Sequence, residues 1–330
     1  MGLLNFALVG NYKGFYENLK EISKKNGKSP ILMFIDTAIC TLFLGSGLQD
    51  YLNYKFYEKS FKERKEYITI GYMARAYKTL AAVEYADFIS NKVTFHKNYS
   101  KFTKRSFISP DDSYEKYEEF LNNNEFFVSK PLRGLGGSNV KKMSRNEIGS
   151  RKEFYEKMKQ ESIFLEELII QDETWGLLSP NSTNTIRVMT TAVKDDIKII
   201  FAGARIGSGK TIADNFHQGG QGVLVDIETG TLKGNGIDKN LNENEKSITG
   251  IKFDGFKIPY WDEIVKMCKE AAKVNNNIHI VGWDVSISNK GPLIIEGNRG
   301  PGFDLVQVLL KKGTKYMLED LKREVKESEK

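Results

Sequence analysis

Several things are scarce in this chain, and each scarcity narrows the field. Only two of its 330 residues are cysteine, Cys40 and Cys268, far apart and in unlike surroundings. That excludes a disulfide framework and the paired spacings of a zinc site, and two reduced thiols fit a cytoplasmic protein. Proline is sparse, 7 residues against 29 glycines, so flexibility comes from glycine. No apolar run reaches the roughly 20 residues that a membrane-spanning helix needs. The most apolar stretch, ILMFIDTAICTLFLG at 31–45, is shorter and carries Asp36. It reads as a buried helix, with peripheral docking on a membrane surface as the second reading. The first ten residues, MGLLNFALVG, lack the charged start and small-residue cleavage site of a secretory signal. There is no internal repeat and no long low-complexity tract.

A large excess of one charge is also lacking. Lys plus Arg exceed Asp plus Glu by 49 − 43, a net +6. The basic runs are broken by acids, as in EKSFKERKEY at 58–67. A nucleic-acid binder concentrates its excess in a stripe, so nucleic acid is not expected as a partner. A mild basic balance suits a small anionic substrate such as a nucleotide.

What is present is an ordinary globular composition, 40% hydrophobic and 28% charged, at a length that suggests about two domains. Residues 1–90 are rich in Lys, Glu, Tyr, Phe and Leu, and IGYMARAYKTLAAVEYADFI at 70–89 repeats its apolar residues at helical spacing. This region reads as mostly helical. From Phe126 short apolar runs alternate with glycine turns, and FFVSKP, ESIFLEELII, TIRVMTTAV, IKIIFAGARI, GVLVDIETG, IHIVGWDVSI and PLIIEGN read as strands. Helices are expected at 144–160 and 260–275, the second with Cys268 on its apolar face as a structural thiol. The tail from 316 to 330 reads as a charged helix. The fold class is α+β, helices first and mostly antiparallel strands after.

Four segments carry chemistry. In FFVSKPLRGLGGSNV a strand ends at Lys130, and Gly134, Gly136, Gly137 and Ser138 follow. Glycines let backbone N–H groups approach a phosphate and a lysine adds a point charge, though a plain hairpin loop reads the same way. In HIVGWDVSISNKGPLIIEGN a three-residue loop, Asn289-Lys290-Gly291, would set Ser288 opposite Pro292 and Asp284 opposite Glu296. Facing carboxylates repel unless a cation lies between them. Asn298 falls on the same face, and three oxygen donors suit Mg²⁺ shared with substrate phosphates. The alternative is a register slip that turns one acid to solvent. FLEELIIQDE, with Glu166, Glu167, Ile169 and Glu173, offers an apolar slot and carboxylates for a base and a ribose, or is an ordinary strand with a polar edge. Arg187 and Arg205 lie inside strands that read as buried, so each needs a phosphate or an internal carboxylate such as Asp284 or Glu296.

The order of these parts resembles the ATP-grasp superfamily of carboxylate-dependent ligases. STNTIRVMT, DNFHQGG, GWDVSI and EGNRGPG resemble its sugar-transfer associated branch, found among bacterial polysaccharide-synthesis genes. The resemblance covers roughly residues 90–310, with a fainter likeness around 45–67. It implies an ATP-grasp fold of two α+β lobes clasping ATP, with the helical region 1–90, a small lobe at 91–163, a large lobe at 164–315 and the tail. It places Lys92 and Lys130 on the phosphates and the loop with Gly134, Gly136, Gly137 and Ser138 as a lid. Glu166, Glu167 and Ile169 fall at the adenine hinge and Glu173 at the ribose, with Gln171 and Asp172 as near alternatives. Asp284, Glu296 and Asn298 match ligands for two magnesium ions. Arg187, Arg205 and Asn215 fall at the catalytic face, and His217 either touches the acceptor or is structural. The implied reaction activates a carboxylate as an acyl phosphate for attack by an amine, one partner being a sugar or glycan. A phosphotransferase and a nucleotide-binding scaffold are the rivals. Oligomeric state stays open, and composition alone does not select ATP over another phosphate compound.

Overall fold

The computed structural model describes residues 12–132, 140–209 and 219–330. The chain folds as two compact units. One is built from the described residues up to Leu80 together with Gly302–Lys330, and the other is Ala81–Pro301.

The first unit is helical, with helices Tyr12–Asn26, Pro30–Leu44, Leu48–Asn53, Ile70–Leu80, Asp304–Leu310 and Lys315–Ser328. Pro30 begins the second helix, where its missing N–H costs nothing. Gly45, at φ 66°, ends it by donating to the Thr41 carbonyl. The two ends of the chain are sewn together by one buried side chain. Gln307 accepts from the Ile68 N–H at 2.7 Å and from the Thr314 N–H at 3.2 Å, and donates to the Ile68 carbonyl at 3.0 Å. Gly313 permits the approach, because a Cβ there would lie 2.4 Å from the Glu66 backbone. The C-terminal helix buries Leu318, Leu321 and Val325 at helical spacing.

The second unit holds two antiparallel sheets. The smaller has β1 (Phe107–Ile108), β2 (Phe126–Pro131), β3 (Lys141–Ser144) and β4 (Ile163–Glu167) in the order β1-β4-β2-β3. Its core is Tyr117, Phe120 and Leu121 of helix Tyr114–Asn123 with Phe127, Met158 and Leu165. The larger has β5 (Thr185–Val193), β6 (Asp196–Ile206), β7 (Gln221–Val225), β8 (Leu232–Asp238), β9 (Glu243–Asn244), β10 (Ile280–Ser288) and β11 (Gly291–Arg299). Their order is β11-β10-β5-β6-β7-β8-β9. Helix Trp261–Lys273 covers β5 and β6 and buries Cys268 fully. β10 is buried along its whole length, with Trp283 donating to Thr190 Oγ1 at 2.9 Å.

The apolar stretch at 31–45, expected as a buried helix, is the helix Pro30–Leu44 but leaves Ile31, Leu32, Leu42 and Phe43 exposed and buries only Met33, Thr37 and Cys40. Three expectations of element bounds also need correction. The helix expected over 70–89 stops at Leu80; Ala82 takes a positive φ of 42°, and the chain restarts in short turns at Val83–Tyr85 and Ala86–Ser90. That break is also the boundary between the units. The helix expected over 144–160 is split into the 3₁₀ turn Arg145–Glu147 and helix Arg151–Gln160. Each piece has its own serine cap, Ser144 and Ser150, and serines favour helix starts over interiors. The hairpin loop has two residues rather than three, so Ser288 faces Gly291 and Ile287 faces Pro292. An extra residue on β11, Ile295, absorbs the difference in a bulge.

Candidate active site

The bulge at Ile295 has a consequence for charge. It restores the pairing that the shorter turn had shifted, and Asp284 stands directly opposite Glu296. On the other side of β10, Asp284 is paired with Arg187 of β5; Arg205 of β6 is paired with Thr185, two residues along. Directly paired residues share a face, so Glu296, Asp284, Arg187 and Arg205 line one face of four adjacent strands. Gly282 keeps that face open, since a Cβ there would crowd the Arg187 Cδ at 3.1 Å.

Asp284 is the hub. Arg187 grips it with both prongs, Nε to Oδ1 at 2.6 Å and Nη2 to Oδ2 at 3.1 Å. Arg205 Nη2 lies 3.0 Å from Oδ2, and the same guanidinium is aimed by Thr185 Oγ1 at 2.9 and 3.0 Å. Burial alone would raise this carboxyl, but the two guanidinium charges hold it well below the usual carboxylate range. Glu296 behaves in the opposite sense. Solvent reaches it, yet the desolvated setting and then the Asp284 charge push it above the usual range. Asn298 Nδ2 lies 3.4 Å from Asp284 and 3.5 Å from Glu296. Of the two readings of the arginines, the internal ion pair to Asp284 is the one observed.

Among the described residues no group of three or more His, Cys, Asp or Glu side chains is placed to hold a metal ion. The pair Asp284 and Glu296 with Asn298 nevertheless fits magnesium. All three offer hard oxygen donors, the two acids face one another, and Mg²⁺ commonly takes one or two carboxylates and fills the rest of its shell from phosphates and water. A cation there would relieve the repulsion between the two acids.

A second cluster lies in the smaller sheet. Lys130, the last lysine before the glycine loop, donates to Glu166 Oε1 at 2.7 Å. Arg105 meets Glu166 Oε2 at 2.9 Å and His96 Nε2 approaches it at 3.4 Å. Glu166 is 4% exposed and Lys130 is 9% exposed. Burial opposes the charge on Glu166, but Arg105 and Lys130 drive its carboxyl well below the ordinary range. Burial also lowers His96, so its imidazole is neutral near pH 7. Both Glu166 oxygens are thus engaged, Oε1 by Lys130 and Oε2 by Arg105. Lys92 donates to the Leu132 carbonyl at 3.1 Å, and its pKa is lowered by burial and by the neighbouring Lys130. Lys130 is also among the charges felt by Glu296, which links the two clusters.

The segment after β4 runs along the tip of the β10–β11 hairpin. Asn289 N–H donates to the Ile170 carbonyl and Asp172 N–H to the Ile287 carbonyl, both at 2.9 Å. Glu167 accepts from the Ser106 N–H and hydroxyl, and Ile169 is half-buried. The ribose alternatives separate cleanly. Gln171 is spent on the Ser182 carbonyl and the Asn184 N–H, and Asp172 caps the short helix Glu173–Gly176 through Trp175 N–H. Glu173 stands exposed at that helix start. Gly134, Gly136, Gly137 and Ser138, together with Asn215 and His217, lie outside the described residues. Sequence reading missed Arg105 and His96; each sits in a polar, mixed stretch whose partner is more than sixty positions away.

Among solved structures the chain is similar to the ATP-grasp ligase PsnB complexed with a phosphomimetic variant of its minimal precursor, Mg and ADP. That match has 13% identity and a TM-score of 0.47, covering 74% of this chain and 61% of that one. It is similar to D-alanine–D-alanine ligase from Bacillus anthracis complexed with ATP at 12% identity and TM-score 0.43, covering 76% and 70%. It is also similar to the RiPP-associated ATP-grasp ligase of Chryseobacterium gregarium in complex with ADP and a leader and core peptide. There the identity is 14% and the TM-score 0.39, with 74% and 61% covered. No curated protein matches the sequence. The sequence itself matches the family described as Sugar-transfer associated ATP-grasp over residues 62–323, most of its length, and the chain belongs to that family.

Proposed function

We propose that the protein is an ATP-dependent carboxylate–amine ligase. The γ-phosphoryl group of ATP passes to a carboxylate oxygen, giving an acyl phosphate and ADP. The amine nitrogen then attacks the acyl carbon, the bond to phosphate breaks, inorganic phosphate leaves, and the amine gives up a proton to solvent. Membership of the family supports ATP as the phosphoryl donor. The observation that carries the site is the row Glu296, Asp284, Arg187 and Arg205 on one sheet face.

Each residue has a role in this reading. Lys92 and Lys130 bind phosphate oxygens, and Glu166 holds Lys130 in place. Asp284, Glu296 and Asn298 hold magnesium, which when bound offsets charge on the phosphates. Arg187 and Arg205 are poised near the reacting phosphoryl group, where a guanidinium stabilises developing negative charge. Glu173 takes the ribose hydroxyls. The family resemblance assigns Gly134, Gly136, Gly137 and Ser138 to the phosphates, a role in which excluding water would protect the acyl phosphate. The family's description as sugar-transfer associated supports a sugar-bearing substrate, and in this reading the product is an amide between an amino acid and a sugar acid or amino sugar of a surface polysaccharide; the two reduced thiols favour a cytoplasmic setting.

The test is ADP release from Mg·ATP with pooled amino acids and sugar acids, with and without hydroxylamine, which traps acyl phosphates as hydroxamates. ADP with a hydroxamate is the expected result. ADP with a stable phosphate ester and no hydroxamate would make the protein a phosphotransferase. Mg·ATP binding without ADP from any pool would favour a scaffold.

A further inference from the structure

The helix Pro30–Leu44 turns an unusual face to solvent. Every exposed position on it is apolar. Ile31, Leu32, Ile35, Ile39, Leu42 and Phe43 are all exposed, Leu42 by 71% and Phe43 by 73%. Its opposite face buries Met33, Thr37 and Cys40 at spacings of four and three. Its single charged residue, Asp36, is turned away from the apolar strip. It accepts from Arg64 Nη1 at 2.7 Å and from the Tyr51 hydroxyl at 2.9 Å. Single exposed apolar side chains are ordinary, but a continuous strip on one helix marks an interaction surface.

The rim of the strip tells what covers it. At the Ile31 end an open apolar hollow of about 400 Å³ is lined by Tyr16, Ile31, Phe34 and Ile35, and its one charged lining group is Lys13. At the other end Phe43 meets the Phe61 ring edge-on, and Lys65 sits over Phe61 with its ammonium 5.2 Å from the ring centre. Two nearby acids are engaged locally: Glu17 pairs with Lys20, and Glu63 caps Ser60. An apolar strip flanked by ammonium groups is the pattern of a helix lying in a lipid interface, with lysine stems along the acyl boundary and heads at the phosphates. A second copy fits this rim poorly, because antiparallel pairing of the strips would set Lys13 of one copy against Lys65 of the other. Among the described residues no single helix is long and apolar enough to cross a membrane. Fifteen residues extend only about 22 Å, short of a hydrocarbon core of about 30 Å.

We propose that this face docks on an anionic lipid bilayer, with the helix Pro30–Leu44 lying in the interface and Lys13 and Lys65 facing lipid phosphates. The proposal is independent of the ligase reading.

Vesicle flotation of the full chain tests it. Vesicles of phosphatidylcholine with 30% phosphatidylglycerol are compared with phosphatidylcholine alone. The protein is expected to float with the anionic vesicles and far less with the neutral ones, and added salt should weaken the binding. Leu42→Glu with Phe43→Glu should cut the bound fraction about tenfold or more, with only a small fall in thermal midpoint because both side chains are largely exposed and only the Phe43–Phe61 ring contact is lost. Lys13→Glu with Lys65→Glu should reduce binding to the anionic vesicles about tenfold. Phe43→Trp gives a direct readout, since its fluorescence should be quenched by brominated acyl chains. Failure to float with either vesicle overturns the proposal. So does a dimer in sedimentation that Leu42→Glu dissociates, because a second copy would then own the face.

Discussion

Lys130 and Glu166 hold one another inside the four-stranded sheet, ammonium to carboxylate at 2.7 Å, and Arg105 completes the set from the far oxygen at 2.9 Å. One buried carboxylate thus serves two cations. Glu166→Gln leaves both without a counter-charge, a loss on the order of 3–5 kcal/mol for a buried pair. A clear fall in the thermal midpoint is expected, partly recovered in the double variant with Arg105→Met. If Glu166 also aims Lys130 at a phosphate, the Kd for Mg·ATP should rise about tenfold or more in the single variant. Calorimetric titration decides between the roles: an unchanged Kd beside the lower midpoint makes Glu166 purely structural.

Glu296 faces Asp284 at close quarters and is held above the ordinary carboxylate range. A group whose folded pKa is raised destabilises the fold once pH climbs through that value, relative to lower pH where both states carry the proton. Without magnesium, Glu296→Gln should therefore be at least as stable as the parent at pH 8, and the parent should gain on the variant as the pH falls. With Mg·ATP the order reverses: the parent is stabilised by binding and turns over, and the variant does neither. Thermal melts at two pH values, each with EDTA or with Mg·ATP, read all four cases. Equal stabilisation of both proteins by Mg·ATP would remove Glu296 from the metal site.

The facing of Asp284 and Glu296 was legible in the sequence because alternation and a glycine turn constrain a hairpin tightly. The route was not. The turn is one residue shorter than its composition implied, and the Ile295 bulge returns the register; nothing in LIIEGN announces a bulge. Arg187 and Arg205 were legible as cations in need of partners, since buried guanidinium groups demand them. Their common grip on Asp284 depends on strand order, which a linear pattern does not carry. The Lys130, Glu166, Arg105 and His96 cluster was only half visible for the same reason. The helical spacing at 70–89 also concealed the break at Ala82, where tertiary packing into two units overrides local periodicity.

The seam between the chain's two ends rests on Gln307, whose amide meets three backbone groups and is 1% exposed. Gln307→Leu keeps the volume but strands the Ile68 N–H and carbonyl and the Thr314 N–H. Buried unpaired groups cost about 1–3 kcal/mol each before relaxation. The variant should lose several degrees of thermal midpoint, and amide exchange should quicken at Ile68 and Thr314. Gln307→Glu would bury a carboxylate against the Ile68 carbonyl oxygen, so at neutral pH it should be destabilised at least as much as Gln307→Leu and should recover as the pH falls. A Gln307→Leu protein as stable as the parent would show that the seam is held by apolar packing alone.

The burial of Asp50 sets the sign of a pH dependence. Its Oδ2 accepts from the Gly47 N–H at 2.8 Å and the Ile70 N–H at 2.9 Å, which favour the carboxylate. Burial outweighs them and the neighbouring Asp304 adds to the effect, pushing Asp50 from 3.8 up to about 6. The folded state therefore binds this proton more tightly than the unfolded chain. The favourable contribution is complete below the unfolded value near 4 and is lost as pH rises through about 6. The shift corresponds to at most about 3 kcal/mol. Asp50→Asn keeps an oxygen to accept both N–H groups and removes the titration. Its stability relative to the parent should rise between pH 4 and pH 7 and then level off. Chemical denaturation of both proteins across that range tests this, and a difference that stays flat with pH would mean that Asp50 titrates as an ordinary surface carboxylate.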